Sequence, residues 1–360
     1  MSYYDEDFDF YDDYDFEDGG SKKKGKGKLI AIILAVVLAL AAVVGVLAVV
    51  FKNKEEAQPS FIQEGLVMYE EPELRLGDPQ GIRFKATVSP ELKKEVESDE
   101  NKCFGFVIAP LTYFVQVDVG NDFGGMDWLK TFEKEGMAVI TVDECAVVTK
   151  SQADGTITEH LIQGSITSIL YNNTNREFLS FAYVKTTDGD EVSYKYASYP
   201  EGLSYKTQAR SLAYVATQAL NDKAVNFTYY SEADVEIMKG FINNSVDLAN
   251  GLTEATPDGS IYAVTLSETS KTLKAGETFT LKAEIAEKVK VPVWWTTDDA
   301  TVATVNNGVV TATGIGSTTV TAYVAGEKYE CVITVSHTSE SETDTDTGTE
   351  SDEEQEEVTS

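Results

Sequence analysis

One apolar segment constrains the architecture of this chain more than any other feature. It runs from Leu29 to Phe51, LIAIILAVVLALAAVVGVLAVVF, and contains no charge, amide or hydroxyl in its 23 residues. As an α-helix the segment would be about 35 Å long, and the hydrocarbon core of a bilayer is about 30 Å thick. The side chains of its Leu, Ile, Val and Phe residues favour membrane insertion by about 5–10 kcal/mol in sum. Residues 29–51 are therefore predicted to form a transmembrane helix.

The charges that flank this segment predict its orientation. Five lysines lie between residues 22 and 28, whereas Lys52 and Lys54 on the other side are followed at once by Glu55 and Glu56. The lysine-rich flank of a membrane helix stays in the cytoplasm. We therefore expect a single-pass signal-anchor protein of the cell membrane, with a cytoplasmic N-terminus and extracellular residues from 52 onward.

Two further interpretations of the apolar segment stay open. Val46 and Ala48 offer a small-residue cleavage site, so that the segment would be a removed signal peptide, although its leader and apolar core are longer than is usual. The small residues Ala31, Ala35 and Ala39 form a stripe along which two such helices would pack closely.

The charge of the chain is strongly acidic and unevenly placed. The formal net charge is −31, and residues 1–20 and 337–360 hold nine and ten acidic residues with no lysine or arginine. Both ends are predicted to be disordered. The aromatic residues among the acids of residues 1–20 suggest a docking segment for a cytoplasmic partner. An acidic protein repels phosphates, so a nucleic acid partner is not expected.

Changes in composition and periodicity divide the chain into segments. We predict a cytoplasmic tail over 1–28, the transmembrane helix over 29–51, a linker over 52–60, an α+β extracellular domain over 61–250, a linker over 251–260, a β-sandwich over 261–336 and an acidic tail over 337–360.

In the 61–250 segment, strand patterns precede helix patterns, which is typical of an α+β domain. Alternation and β-branched runs predict strands at 81–89, 103–110, 113–119 and 137–148, and a hairpin over 177–197 that turns at Asp188-Gly189. Short helices are predicted after Pro90 and over 127–135. Longer helices with period 3.6 are predicted over 204–221 and from Ser231, which begins a partial capping box with Asp234, to Gly251.

The segment from about 261 has short Thr- and Val-rich strands with turn signals every 8–12 residues, which predicts a β-sandwich. Neighbouring strand residues point to opposite faces, so Trp294 and Trp295 are expected on opposite sides of their strand. Trp295 precedes Thr296-Thr297, and the progression Ala303-Thr304-Val305, Gly308, Val310, Ala312, Gly316 and Thr319 follows. This pattern resembles the group 2 bacterial Ig-like domain, in which Trp295 would occupy the core position.

A second resemblance concerns residues 64–250. The motifs GIRFKATVSPEL, CFGFVIAP and ARSLAYVATQAL resemble an uncharacterised extracellular module of clostridial and other Firmicutes surface proteins. The two resemblances together imply a spacer or adhesive protein on the surface of a Gram-positive bacterium, with no activity to carry over.

Residues suited to catalysis or metal binding are scarce. The two histidines, His160 and His337, and the three cysteines, Cys103, Cys145 and Cys331, have neither metal-site spacing nor a nucleophile–base arrangement. Cys103 and Cys145 are expected to be buried thiols, with a disulfide as the alternative. No catalytic residue, cofactor or metal is predicted. A glycoside hydrolase built on a pair of carboxylates stays open, because separation in sequence does not fix separation in space.

Three residues are predicted as ligand contacts: Trp294, as an outward-facing indole, and Arg83 and Arg210, as anchors for an anionic ligand. Surface ion pairing is the alternative for both arginines. The predicted function is non-catalytic binding or adhesion to a cell-wall polymer, glycan or surface protein. The alternatives are a transmembrane sensor or scaffold acting through residues 1–20, and a wall-active glycoside hydrolase.

Overall fold

The computed structural model describes residues 60–118, 126–256, 259 and 261–337. The chain divides into two units, 1–59 and 60–360, and only residues of the second are described. The predicted transmembrane helix at 29–51 and both predicted acidic tails, apart from His337, lie outside the described residues. Within them, no helix combines the length and apolarity needed to cross a bilayer.

Residues 60–250, here called the α+β region, contain one large mixed sheet. Its strands follow the order β5-β4-β8-β9-β1-β3-β7-β6, β2 also pairs with β3, and every pairing is antiparallel except that of β1 with β9. The strands are β1 (Ile62–Met68), β2 (Glu73–Arg75), β3 (Gly81–Val88), β4 (Lys102–Pro110), β5 (Ile140–Val142), β6 (Val148–Ser151), β7 (Ile157–Thr167), β8 (Phe178–Asp188) and β9 (Glu191–Ser198).

Among the described residues, five α-helices accompany this sheet: α1 (Pro90–Glu97), α2 (Leu111–Val117), α3 (Trp128–Lys134), α4 (Leu212–Asn226) and α5 (Glu232–Ala249). The predicted strands at 81–89 and 103–110, the helices after Pro90 and over 127–135, and the hairpin over 177–197 are confirmed. The hairpin turn lies one residue later than predicted, at Gly189-Asp190, because Asp188 pairs with Glu191.

The strand predicted at 113–119 is wrong, since these residues belong largely to α2. Phe114 and Val117 are three residues apart and both buried, which is the spacing of one helix face. Phe114 packs edge-on against Trp128, Phe132 and Phe181, with ring centroids 5.0–5.4 Å apart. This aromatic cluster favours the helix over the β propensity of the sequence.

Two other predicted elements have different bounds. The strand at 137–148 is divided into β5 and the start of β6 by a turn in which Glu144 has a φ of 56°. The helix predicted over 204–221 begins at Leu212, because Arg210 pairs with Phe178 in an antiparallel bridge and the Ser211 side chain caps the Tyr214 N–H.

Residues 261–337, here called the C-terminal sandwich, form three small sheets with the orders β11-β18-β17-β14, β12-β16-β15 and β10-β13. The buried side chains between the sheets include Leu281, Val310, Val320, Cys331 and Ile333. The predicted all-β region is confirmed. Its strands are β10 (Val264–Leu266), β11 (Ser270–Lys274), β12 (Thr278–Thr280), β13 (Ala283–Ile285), β14 (Trp294–Thr297), β15 (Ala303–Asn306), β16 (Val309–Ala312), β17 (Gly316–Val324) and β18 (Glu327–Ser336).

Helices α4 and α5 of the α+β region pack directly on the C-terminal sandwich. One apolar cluster joins Ala216 and Leu220 of α4 and Ile242 of α5 to Tyr262 and Val324 of the sandwich, and all five side chains are buried. The segment predicted as a linker, 251–260, connects two bodies that share this core; the predicted domain boundaries stay predictions.

Candidate functional site

The two adjacent tryptophans of β14 lie in different environments. Trp295 packs against the apolar core of the sandwich. It lies close to Gly308, which has a φ of 78°. Trp294 points the other way, as strand alternation requires. It lines a cleft of about 410 Å³ between β14, helix α4 and the β2–β3 strands.

The walls of this cleft come from both parts of the chain. The α+β region contributes Glu71, Glu73, Lys85, Gln218, Asp222 and Tyr230, among others, and the sandwich contributes Trp294. Because β2 pairs with β3 in the sheet and α4 packs on both strands, residues far apart in sequence converge on one opening. The cleft combines aromatic rings with carboxylate and amide groups.

Arg210, a predicted ligand contact, lies buried behind the cleft with 5% of its surface exposed. Its Nε and Nη2 donate to the two carboxylate oxygens of Glu71 at 2.7 and 2.5 Å, and its Nη1 donates to the carbonyls of Thr207 and Ala209. Its guanidinium also lies over the Tyr214 ring, 4.8 Å from the centroid. Four of its five N–H donors are therefore occupied, and Arg210 positions Glu71.

The other cation at the cleft, Lys85, is also buried, with 7% of its surface exposed. Its ammonium donates to Glu73 and lies 4.4 Å from the centroid of the Tyr69 ring. Along β3 the apolar residues Phe84 and Ala86 alternate with Lys85, and this alternation predicts that Lys85 faces away from the core. Its burial is a correction, because the Glu73 carboxylate and the Tyr69 ring pack against it on that face of the strand.

Arg83, the third predicted contact, lies on β3 opposite Glu73 of β2 and Ser165 of β7. It is half-buried and does not line the cleft with Trp294. The structure thus brings Trp294 to the cleft, places Arg210 behind it and leaves Arg83 outside it. Their ligand contacts stay predictions.

The cleft groups that remain for a ligand are a carboxylate, an amide and a phenol, from Asp222, Gln218 and Tyr230. Asp222 accepts one bond, from the Asn226 side chain at 2.7 Å. The buried Oε1 of Gln218 has no hydrogen-bond partner among the described residues. Burial raises the pKa of Tyr230, and the negative charges of Asp222, Glu73 and Asp234 raise it further. A ligand in this cleft therefore meets one carboxylate acceptor, Asp222, and one protonated phenol, Tyr230.

A loop that sequence reasoning missed borders the cleft. Helix α4 ends at Asn226, and its C-cap residue Phe227 has a left-handed backbone (φ 57°, ψ 28°). The side chains of Phe227 and Tyr229 are 88% and 87% exposed. Asp222 before this loop and Tyr230 after it both line the cleft, so the loop connects two lining residues. The signal in the sequence is the segment FTYY, residues 227–230. It places three aromatic residues where the end of a helix usually has Gly or Asn.

The histidine and cysteine side chains, which most often serve in catalysis or metal binding, do not line this cleft. The described residues contain no cluster of three His, Cys, Asp or Glu side chains that would hold a metal. The three cysteines are free thiols, with Cys103 and Cys145 half-buried and Cys331 buried. Burial and the charge of Asp143 raise the pKa of Cys145 to about 11, which suppresses its thiolate at neutral pH. His160 shares a hydrogen bond with the Thr149 hydroxyl at 2.9 Å.

The sandwich that carries Trp294 is similar to a known family. Residues 260–332 match the bacterial Ig-like domain (group 2). The resemblance predicted for the C-terminal domain is confirmed, and the resemblance predicted for 64–250 stays a prediction. A comparison with curated protein sequences finds no match.

Several solved structures share a weak likeness with the chain. Domains 4 and 5 of the S-layer protein SbsC have 14% identity over 43% of this chain and 64% of theirs, with a TM-score of 0.18. A longer SbsC fragment has 11% identity over 75% of this chain and 35% of its own, with a TM-score of 0.20. Tandem Ig repeats of Dlar have 6% identity over 77% of this chain and 100% of theirs, with a TM-score of 0.17. The chain spans less than two thirds of the length of either S-layer structure. At these TM-scores the likenesses carry no argument.

Proposed function

We propose that this chain is a non-catalytic binding protein of the cell surface that holds its ligand in the Trp294 cleft. The Ig-like domain fits a surface protein. The observation that carries the proposal is the cleft itself, in which Trp294 of the Ig-like domain faces Tyr230 and Asp222 of the α+β region. In this proposal the apolar segment 29–51 anchors the chain in the membrane, with the cleft outside the cell.

The state of the cleft carboxylates favours binding over catalysis. A glycoside hydrolase needs two carboxyl groups free to act as acid and as base or nucleophile. Glu71 is held by Arg210 and Glu73 by Lys85, so two of the three cleft carboxylates already serve as ion-pair partners. Asp222 alone does not supply the pair that hydrolysis requires.

Binding of the full chain to cell envelopes of its native host tests the proposal. The detergent-solubilised chain is sedimented with isolated envelopes, and the bound fraction is measured over a concentration series. We expect Trp294→Ala to weaken binding about tenfold or more, which corresponds to about 1.4 kcal/mol of lost contact energy.

Ile315→Ala is the matched control, because Ile315 is an exposed apolar residue of the Ig-like domain that does not line the cleft. Its binding should equal that of the wild-type chain. Absence of wild-type binding would overturn the binding function. Equal binding by the wild-type and Trp294→Ala chains would overturn the cleft as its site.

A further inference from the structure

We propose that the ligand is a neutral polysaccharide and that it extends from the Trp294 cleft over the exposed rings of Phe227 and Tyr229, here called the aromatic lip. This inference rests on the proposed function and names the chemical class of its ligand. It also adds a second contact surface to the cleft.

The lip lies in a loop between two residues that line the cleft. The loop leaves α4 one turn after Asp222 and returns at Tyr230, and both of these residues line the cleft. A ligand confined to the cleft would leave the rings of Phe227 and Tyr229 in solvent. A polymer longer than the cleft covers them, which supplies a reason for two large exposed aromatic side chains at one loop.

Local stability does not explain why an aromatic residue stands at Phe227 of the lip. Phe227 ends α4 with a φ of 57°, a conformation in which Gly and Asn are favoured and a bulky side chain is strained. The side chain is also almost fully exposed, so it gains little by packing against the protein. A residue that costs backbone strain without core packing is typical of a functional position.

The hydrogen-bonding groups of the cleft select the class of ligand. Lys85 and Arg210 are already paired with Glu73 and Glu71, whereas the Asp222 carboxylate is not ion-paired among the described residues and accepts hydrogen bonds. An anionic polymer or an anionic lipid surface would meet repulsion there. A neutral polysaccharide offers hydroxyl groups that donate to the Asp222 carboxylate and accept from the Tyr230 phenol. The flat C–H faces of its sugar rings match the aromatic surfaces of Trp294 and the lip.

Fractionated envelopes test this inference on the full chain. Envelopes of the native host are separated into protein, anionic polymer and neutral polysaccharide by detergent extraction and anion exchange, and each fraction is titrated against the chain in a calorimeter. We expect the neutral polysaccharide to bind and Trp294→Ala to weaken that binding. We expect Phe227→Asn and Tyr229→Ser each to weaken it about five- to tenfold.

The Phe227→Asn variant separates a binding role from a structural one. Asn tolerates the left-handed backbone, so the melting temperature should stay the same or rise while binding falls. Glu144→Asn is the matched control, since Glu144 is an exposed residue with a φ of 56° that does not line the cleft. Glu144→Asn should leave binding unchanged, and its melting temperature should likewise stay the same or rise.

The outcomes distinguish this inference from the proposed function. Binding of the protein or anionic fraction with loss in Trp294→Ala would retain the cleft and overturn the ligand class. Full-strength binding of the neutral fraction by Phe227→Asn and Tyr229→Ser would overturn the lip. If no fraction bound the wild-type chain, the proposed function itself would fail.

Discussion

At the scale of single residues, Trp294 and Trp295 show how a shift of one position along a strand changes a role. Both indoles are half-buried, but Trp295 packs in the sandwich core beside Gly308, whereas Trp294 lines the cleft. A Cβ on Gly308 would stand 2.5 Å from the Leu281 carbonyl and 3.3 Å from the Trp295 ring, so this turn admits only glycine without rearrangement. The core position of Trp295 therefore depends on its surroundings as well as its own side chain.

We expect alanine substitutions of the two tryptophans to differ in stability. Trp295→Ala removes a core ring and should lower the free energy of unfolding by about 3–5 kcal/mol. Trp294→Ala leaves a cavity that is already open to solvent and should cost roughly 1 kcal/mol. Chemical denaturation of the two variants beside the wild-type chain measures the difference, and equal losses would contradict the assignment of one ring to the core.

At the scale of elements, the start of α5 shows local sequence fixing a boundary. The Ser231 hydroxyl accepts a hydrogen bond from the Asp234 N–H at 3.2 Å, and the Asp234 carboxylate accepts one from the Ser231 N–H at 3.1 Å. This reciprocal capping box satisfies two backbone donors that a helix start otherwise leaves unpaired. The predicted start at Ser231 is confirmed because its cause lies within four residues.

Loss of this cap should destabilise α5 in a measurable way. We expect Ser231→Ala to lower the free energy of unfolding by about 1 kcal/mol, whereas Ser231→Thr, which keeps the hydroxyl, should cost only a small part of that. Urea denaturation followed by far-UV circular dichroism measures both values. A loss from Ser231→Thr as large as that from Ser231→Ala would show that the hydroxyl is not the source of the effect.

At the scale of the whole molecule, Asn221 ties α4 to the Ig-like domain. Its side chain is fully buried, its Nδ2 donates to the Pro292 carbonyl at 3.2 Å, and its Oδ1 accepts from the Gly326 N–H at 2.9 Å. Gly326 has a φ of 82°, and a Cβ there would lie 3.2 Å from the Leu220 carbonyl, which explains the close approach of the two backbones. Together with the shared apolar cluster, these hydrogen bonds pack the α+β region and the Ig-like domain against each other.

This arrangement predicts that the α+β region and the Ig-like domain unfold together. Calorimetry of the wild-type chain should show one transition for both, with a calorimetric enthalpy close to the van't Hoff value. Asn221→Leu leaves the Gly326 N–H and the Pro292 carbonyl unpaired, at about 1–3 kcal/mol each. We therefore expect a lower melting temperature or a separation into two transitions. Two transitions in the wild-type chain would contradict the coupling.

The sequence by itself determined the features whose causes are local. The strand character of β3 and β4, the cap at Ser231, the hairpin over 177–197 and the Ig-like strand pattern after Trp295 each depend on neighbours within a few residues. Only the tertiary structure decided features that depend on distant contacts. Phe114 lies in a helix because Trp128, Phe132 and Phe181 surround it, and Lys85 and Arg210 are buried because Glu73 and Glu71 neutralise them. The cleft itself exists because Asn221 and the shared core hold the Ig-like domain against α4. Periodicity records which face of an element is apolar, but it does not record which other element covers that face.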